Sequence, residues 1–112
     1  MKFLTTAGLL LAVSGCAKPA MSTESSTSAI RGAEEAGAGD VPTAALHVQL
    51  AKESEAKAKA LDESGDKEEA VSLLLRSTAD AELAVVLARA EAARIEAAEA
   101  QKRLDALRSE GK

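Results

Sequence analysis

Few side chains in this chain could carry chemistry. Cys16 is the only cysteine and His47 the only histidine. A zinc site needs three or four ligands at defined spacing, and around His47 the chain offers only scattered carboxylates, so His47 reads as a helix-surface imidazole. Glu68, Glu69, Glu96 and Glu99 could be paired on paper as acid and base. With one aromatic residue in the whole chain and no pocket-forming pattern, nothing would shift their proton affinities, and they read as a solvated helix face. No phosphate-cradling glycine loop and no nucleophile, base and acid set occurs in the sequence. The expectation is a non-enzymatic protein with no cofactor, no metal and no small-molecule substrate.

Cys16 is the exception because of what precedes it. A basic Lys2 is followed by the apolar run from Phe3 to Val13 and then by Ser14 and Gly15. A spanning helix needs roughly 20 apolar residues, and this run is about half that, so it reads as an export signal. The tetrapeptide Val13-Ser14-Gly15-Cys16 resembles the lipobox of bacterial lipoproteins. That resemblance implies removal of residues 1–15 and lipidation of Cys16, which becomes the first residue of the mature chain. A single cysteine in an exported protein has no internal disulfide partner, which agrees with a lipid on its sulfur. Several acyl chains exceed the two-signal threshold for stable anchoring, so a membrane partner through Cys16 is expected without a spanning helix. Ala17 stands where an aspartate would resemble an inner-membrane retention signal, which favours the outer membrane, facing the periplasm.

The remaining 97 residues carry thirteen basic and eighteen acidic side chains, a net charge of −5. Nucleic acid and anionic lipid both reward clustered Lys and Arg, so neither is expected as the main partner. The only Phe lies in the signal, and Trp and Tyr are absent, so any core must come from Leu, Val, Ile and Ala. Such cores are thin and helical.

Residues 16–28 are small and hydroxylic and read as a tether. Residues 29–36 suit a short helix capped by Thr27 or Ser28 and broken at Gly37. Pro42 fits the first turn of a second helix over 42–64, since its missing N–H costs nothing there. Gly65 ends that helix, and Asp66 with Glu69 has the spacing of a capping box that opens a third over 66–109, about 65 Å long. The fold class expected is all-α: an αα-hairpin, or a three-helix arrangement if the short first helix docks, with a long overhanging C-terminal helix.

The apolar spacing of Val71, Leu74, Thr78, Ala81, Val85, Ala88, Ala92 and Ile95 suggests the seam of the third helix. Leu73, Leu75, Leu83, Val86 and Leu87 widen it. Leu46, Val48, Leu50, Ala58 and Leu61 are expected to meet it from the second helix, with Glu53 to Lys57 and Glu55 to Lys59 as ion pairs on the wet face. Beyond about Ala90 the third helix outruns its partner. Ile95, Leu104 and Leu107 are then the candidate residues for binding a protein partner or a second copy.

The chain also resembles the domain-of-unknown-function family forty-three ninety-eight, small alanine-rich lipoproteins of Gram-negative bacteria. Pro42, Leu61 before Gly65-Asp66, Ala70, and Asp80-Ala81-Glu82-Leu83-Ala84 carry the resemblance, over roughly residues 28–105. It implies a helical fold and an envelope location and brings no activity with it. Two functions are therefore expected as alternatives. One is a lipid-anchored interaction or spacer element of the envelope. The other is a covalent membrane-to-peptidoglycan staple through Lys112, a feature that resembles the murein lipoproteins.

Overall fold

A computed structural model describes residues 22–112. The signal, Val13, Ser14, Gly15 and Cys16 lie outside the described residues. Three α-helices follow in order: α1 (Glu24–Glu35), α2 (Pro42–Ser64) and α3 (Lys67–Glu110), with a single 3-10 turn at Ala38–Asp40. The class is all-α, with α2 and α3 forming an antiparallel hairpin and α1 docked against both.

The breaks between helices have local causes. Gly37 and Gly65 both adopt the left-handed conformation, at φ +79° and +93°. At Gly65 the N–H groups of Gly65 and Asp66 return to the carbonyls of Asp62 and Leu61, at 3.1 and 2.9 Å, which satisfies two carbonyls at the end of α2. Val41 is extended, as the residue before a proline prefers to be, and Pro42 opens α2. Asp66 precedes α3, but its side chain makes no capping hydrogen bond, so the capping box with Glu69 does not form. The glycine closure of α2 fixes the turn by itself.

Two glycine substitutions should have opposite signs. A Cβ on Gly65 meets no neighbour, but its backbone disfavours every L side chain. Gly65→Ala should therefore destabilise by about 1 kcal/mol. Gly32 lies inside α1, where an added Cβ also meets nothing. Gly32→Ala should stabilise by up to about 1 kcal/mol through helix propensity. Paired thermal melts followed by circular dichroism check both signs.

The seam is built from the smallest residues. On α3 the buried set is Ala70, Leu74, Ser77, Ala81, Ala84 and Ala88. On α2 it is Ala44, Val48, Ala51, Glu55 and Ala58, together with Ser54. Both sets step by four and three residues, the spacing of coiled-coil packing. This shifts the α3 seam by one residue from the expected one at three places. Val71, Thr78 and Val85 flank the contact half-buried, and Ala70, Ser77 and Ala84 occupy its centre. Close helix approach selects the residue with the least side chain, and the larger ones close the edges. For the same reason Leu46, two residues from Ala44 and Val48, points outward at 55% exposure. Leu50 and Leu61 are half-buried at the margin, while Val48 and Ala58 lie in the contact. Leu73 and Leu87 pack beside the core, whereas Leu75, Leu83 and Val86 face away from it.

The first helix begins at Glu24, five residues before its expected start, so the stretch expected as tether contributes Ser26 to the core. Thr27 and Ser28 lie inside this helix. A polar layer explains the ordering. Glu55, expected on the wet face, is only 9% exposed. Its carboxylate accepts hydrogen bonds from Ser26 Oγ at 2.7 Å and Thr27 Oγ1 at 3.1 Å on α1, and from Lys59 Nζ at 2.6 Å. Ser77 Oγ donates to the Ala51 carbonyl at 2.8 Å, joining α3 to α2 near the same level. This layer separates a three-helix apolar cluster around Ala33, Ala44, Ala51, Ala81 and Ala84 from a two-helix cluster of Ala58, Ala70 and Leu74 near the turn. Among the described residues no buried side-chain polar atom lacks a partner.

Candidate interaction surface

Past Ala88, every residue of α3 except the half-buried Glu91 is exposed. The 22 residues from Arg89 to Glu110 extend about 33 Å beyond the bundle at 1.5 Å per residue. Alanine, glutamate and arginine make this a strong helix-forming stretch. Glu91 and Arg94 form a two-pronged pair at 2.6 and 2.8 Å, and Arg103 lies 3.6 Å from Glu99. The hydrogen bonds from Arg94 hold the Glu91 carboxyl below the usual carboxylate range.

The three residues expected to form one partner stripe do not share a face. Ile95 stands seven residues after Ala88 and so continues the line of the buried seam, but after Ala98 the next positions on that line, Lys102 and Asp105, turn polar. Leu104 is nine residues from Ile95, about two and a half turns, and therefore on the opposite side of the helix. Leu104 and Leu107 belong instead to a second apolar line. It begins with Leu83 and Val86, passes Ala90, Ala93, Ala97 and Ala100, and ends at Leu104 and Leu107. The steps are three and four throughout, and all eight residues are exposed. Leu83, Val86, Leu104 and Leu107 are 42, 60, 49 and 65% exposed. The line starts on the back of the three-helix bundle and runs out along the overhang. Apolar residues kept to one helical line on a solvated face, with a large pair at each end and alanines between, mark an unpartnered packing seam.

Flanking charges follow the same period. Glu82, Arg89, Glu96, Arg103 and Glu110 recur every seven residues along one edge of the line, alternating in sign without exception. This alternation is readable in the sequence, and it marks which face of α3 points outward. Sequence reasoning missed it because the larger residues near the hairpin drew the seam toward Val71 and Val85.

Other polar side chains join the helices to one another. His47 Nδ1 lies 2.9 Å from Asp80 Oδ1, a half-buried bridge between α2 and α3, with Arg76 3.8 Å from the other oxygen of Asp80. Glu34 and Lys52 pair between α1 and α2. Glu68, Glu69, Glu96 and Glu99 are exposed on α3. Among the described residues no group of three or more His, Cys, Asp and Glu is gathered so as to hold a metal, and no helix is long and apolar enough to cross a membrane. No family model, no curated protein and no solved structure matches the chain.

Proposed function

We propose that this chain is a lipid-anchored protein of the bacterial envelope, attached to the outer membrane through Cys16 and facing the periplasm, where its helices act as an interaction or spacer element without enzymatic activity. The observation that carries the interaction half is the length of α3 beyond the bundle together with its exposed apolar line. Most helical stability in proteins comes from packing of an apolar face, and the apolar line of this overhang has no packing neighbour within the described residues. The anchoring half rests on the apolar run before Val13-Ser14-Gly15-Cys16 and on the absence of any other cysteine. The similarity to the alanine-rich lipoprotein family around Pro42, Gly65 and Asp80 belongs to the same proposal.

Cys16→Ser is expected to abolish labelling by a fatty-acid probe in a Gram-negative host and to leave the signal uncleaved by the lipoprotein route. Normal labelling of that variant would overturn the anchor. Envelope cross-linking of the full chain, compared with a chain truncated after Ala90, tests the interaction half. Identical cross-linked products from both would leave α3 as a spacer.

A further inference from the structure

We infer that the outward line of α3 is the interface of an antiparallel dimer of this chain, with the two-fold axis passing between Glu91 and Ala92. The inference rests on the reading of α3 as an interaction element and is independent of the lipid. Its first support is steric. About that axis Leu83 meets the partner's Ala100, Val86 meets the partner's Ala97, Ala79 meets the partner's Leu104, and Ala90 meets the partner's Ala93. Three of the four large side chains then face a small one, the complementarity that lets helices close without voids, while Leu107 lies past the shared length, opposite the partner's Arg76. The shared length from Ala79 to Leu104 is about 38 Å. The buried seam of Ala81, Ala84 and Ala88 lies on the other side of α3, so α1 and α2 leave this face open to the second copy.

The second support is charge, which selects one register. The same axis places Glu82 against the partner's Arg103 and Arg89 against the partner's Glu96, and the two-fold repeats both pairs. Sliding the copies by one heptad toward the helix tip sets Arg89 against the partner's Arg103 and Glu96 against the partner's Glu96. One heptad the other way sets Arg89 against the partner's Arg89. Sliding by two heptads restores opposite charges but leaves two of the four large residues uncovered. A parallel pair would oppose Arg89 to the partner's Arg94 and Arg103 to the partner's Arg108. Like charges at such positions oppose pairing and exclude those arrangements. An edge that alternates in sign every seven residues is self-complementary only when the helices run in opposite directions.

The test uses the full chain carrying Cys16→Ser, so that introduced thiols stand alone. Sedimentation equilibrium should show a monomer–dimer equilibrium. Glu96→Arg, which places two arginines together at two symmetric points, should raise the dimer Kd by about tenfold or more. Adding Arg89→Glu to that variant exchanges the charges and should return the Kd to near the starting value. A short bismaleimide should join Val86→Cys chains to Ala97→Cys chains in a mixture, and should fail to join Leu104→Cys chains to one another. A monomer at every concentration, a Glu96→Arg defect that the charge exchange does not rescue, absence of the Val86–Ala97 product, or self-linking at residue 104 would each overturn the antiparallel dimer. Envelope cross-links that persist in a monomeric chain would overturn the dimer alone and leave the interaction reading standing.

Discussion

Ala81→Leu should lower the melting temperature by about 10 °C or more, while Ala98→Leu should move it by no more than a few degrees. Ala81 is fully buried in the three-helix cluster, and the seam around it is lined by Ala44, Ala51, Ala84 and Ala88. The largest fully buried side chains in the described residues are serines, Ser26 and Ser77. An isobutyl group at Ala81 therefore finds no space among groups that could turn aside, and α1, α2 and α3 must separate to admit it. Overpacking of this kind costs about 1–3 kcal/mol, toward the upper end where the neighbours are backbone and methyl groups. Each kcal/mol shifts the midpoint of a 60–100-residue domain by about 4–8 °C. Ala98 lies on the exposed overhang, where a leucine only exchanges one good helix former for another. Circular dichroism melts of the two variants decide the matter. Equal shifts would mean that the alanine seam is not closely packed.

The contrast also shows which parts of the fold could be read from the residues. Pro42 and Gly65 mark backbone requirements that hold whatever packs nearby, and the α2 bounds follow from them. The first helix depends on tertiary contact. Its opening residues, Glu24 to Ser28, are mostly hydroxylic and resemble a linker, and they become helical where Ser26 and Thr27 can donate to a carboxylate 29 and 28 residues away. Local pattern carries no trace of that partner. The phase of α3 was ambiguous for a different reason. Between Ala70 and Ala88 apolar residues lie on every side of the helix, so periodicity admits several seams. Side-chain size resolves it, since α3 meets its neighbours closely only over Ala, Ser and a single Leu. The outward face is the complement of that choice. Ile95 is in step with the core seam, whereas Leu104 and Leu107 are in step with Leu83 and Val86.

Glu55→Ala should destabilise the bundle by about 2 kcal/mol at neutral pH, and α1 should be the element that loosens. Removing the carboxylate leaves the buried Ser26 hydroxyl and the Thr27 hydroxyl without their acceptor on α2, and hydrogen bonds to a charged group contribute about 1.5–3 kcal/mol. The milder Glu55→Gln separates charge from shape through pH. Burial by itself pushes the Glu55 carboxyl upward. Hydrogen bonds from Lys59, Ser26 and Thr27 and the Lys59 charge outweigh it, so the carboxyl sits below its ordinary value of 4.5. A carboxyl that titrates lower in the folded chain than in the unfolded one contributes stability that is fully present above the ordinary value. That contribution shrinks as pH falls below 4.5 and is gone once pH passes below the folded value. Wild type should therefore be more stable than Glu55→Gln at pH 7, and the gap should narrow on acidification. Hydrogen exchange should show faster exchange of the α1 amides in wild type at acid pH, after correction for intrinsic rates, approaching the protection found in Glu55→Gln. A gap that stays constant from pH 7 through the carboxylate range would mean that the Glu55 charge does not hold α1 to the hairpin.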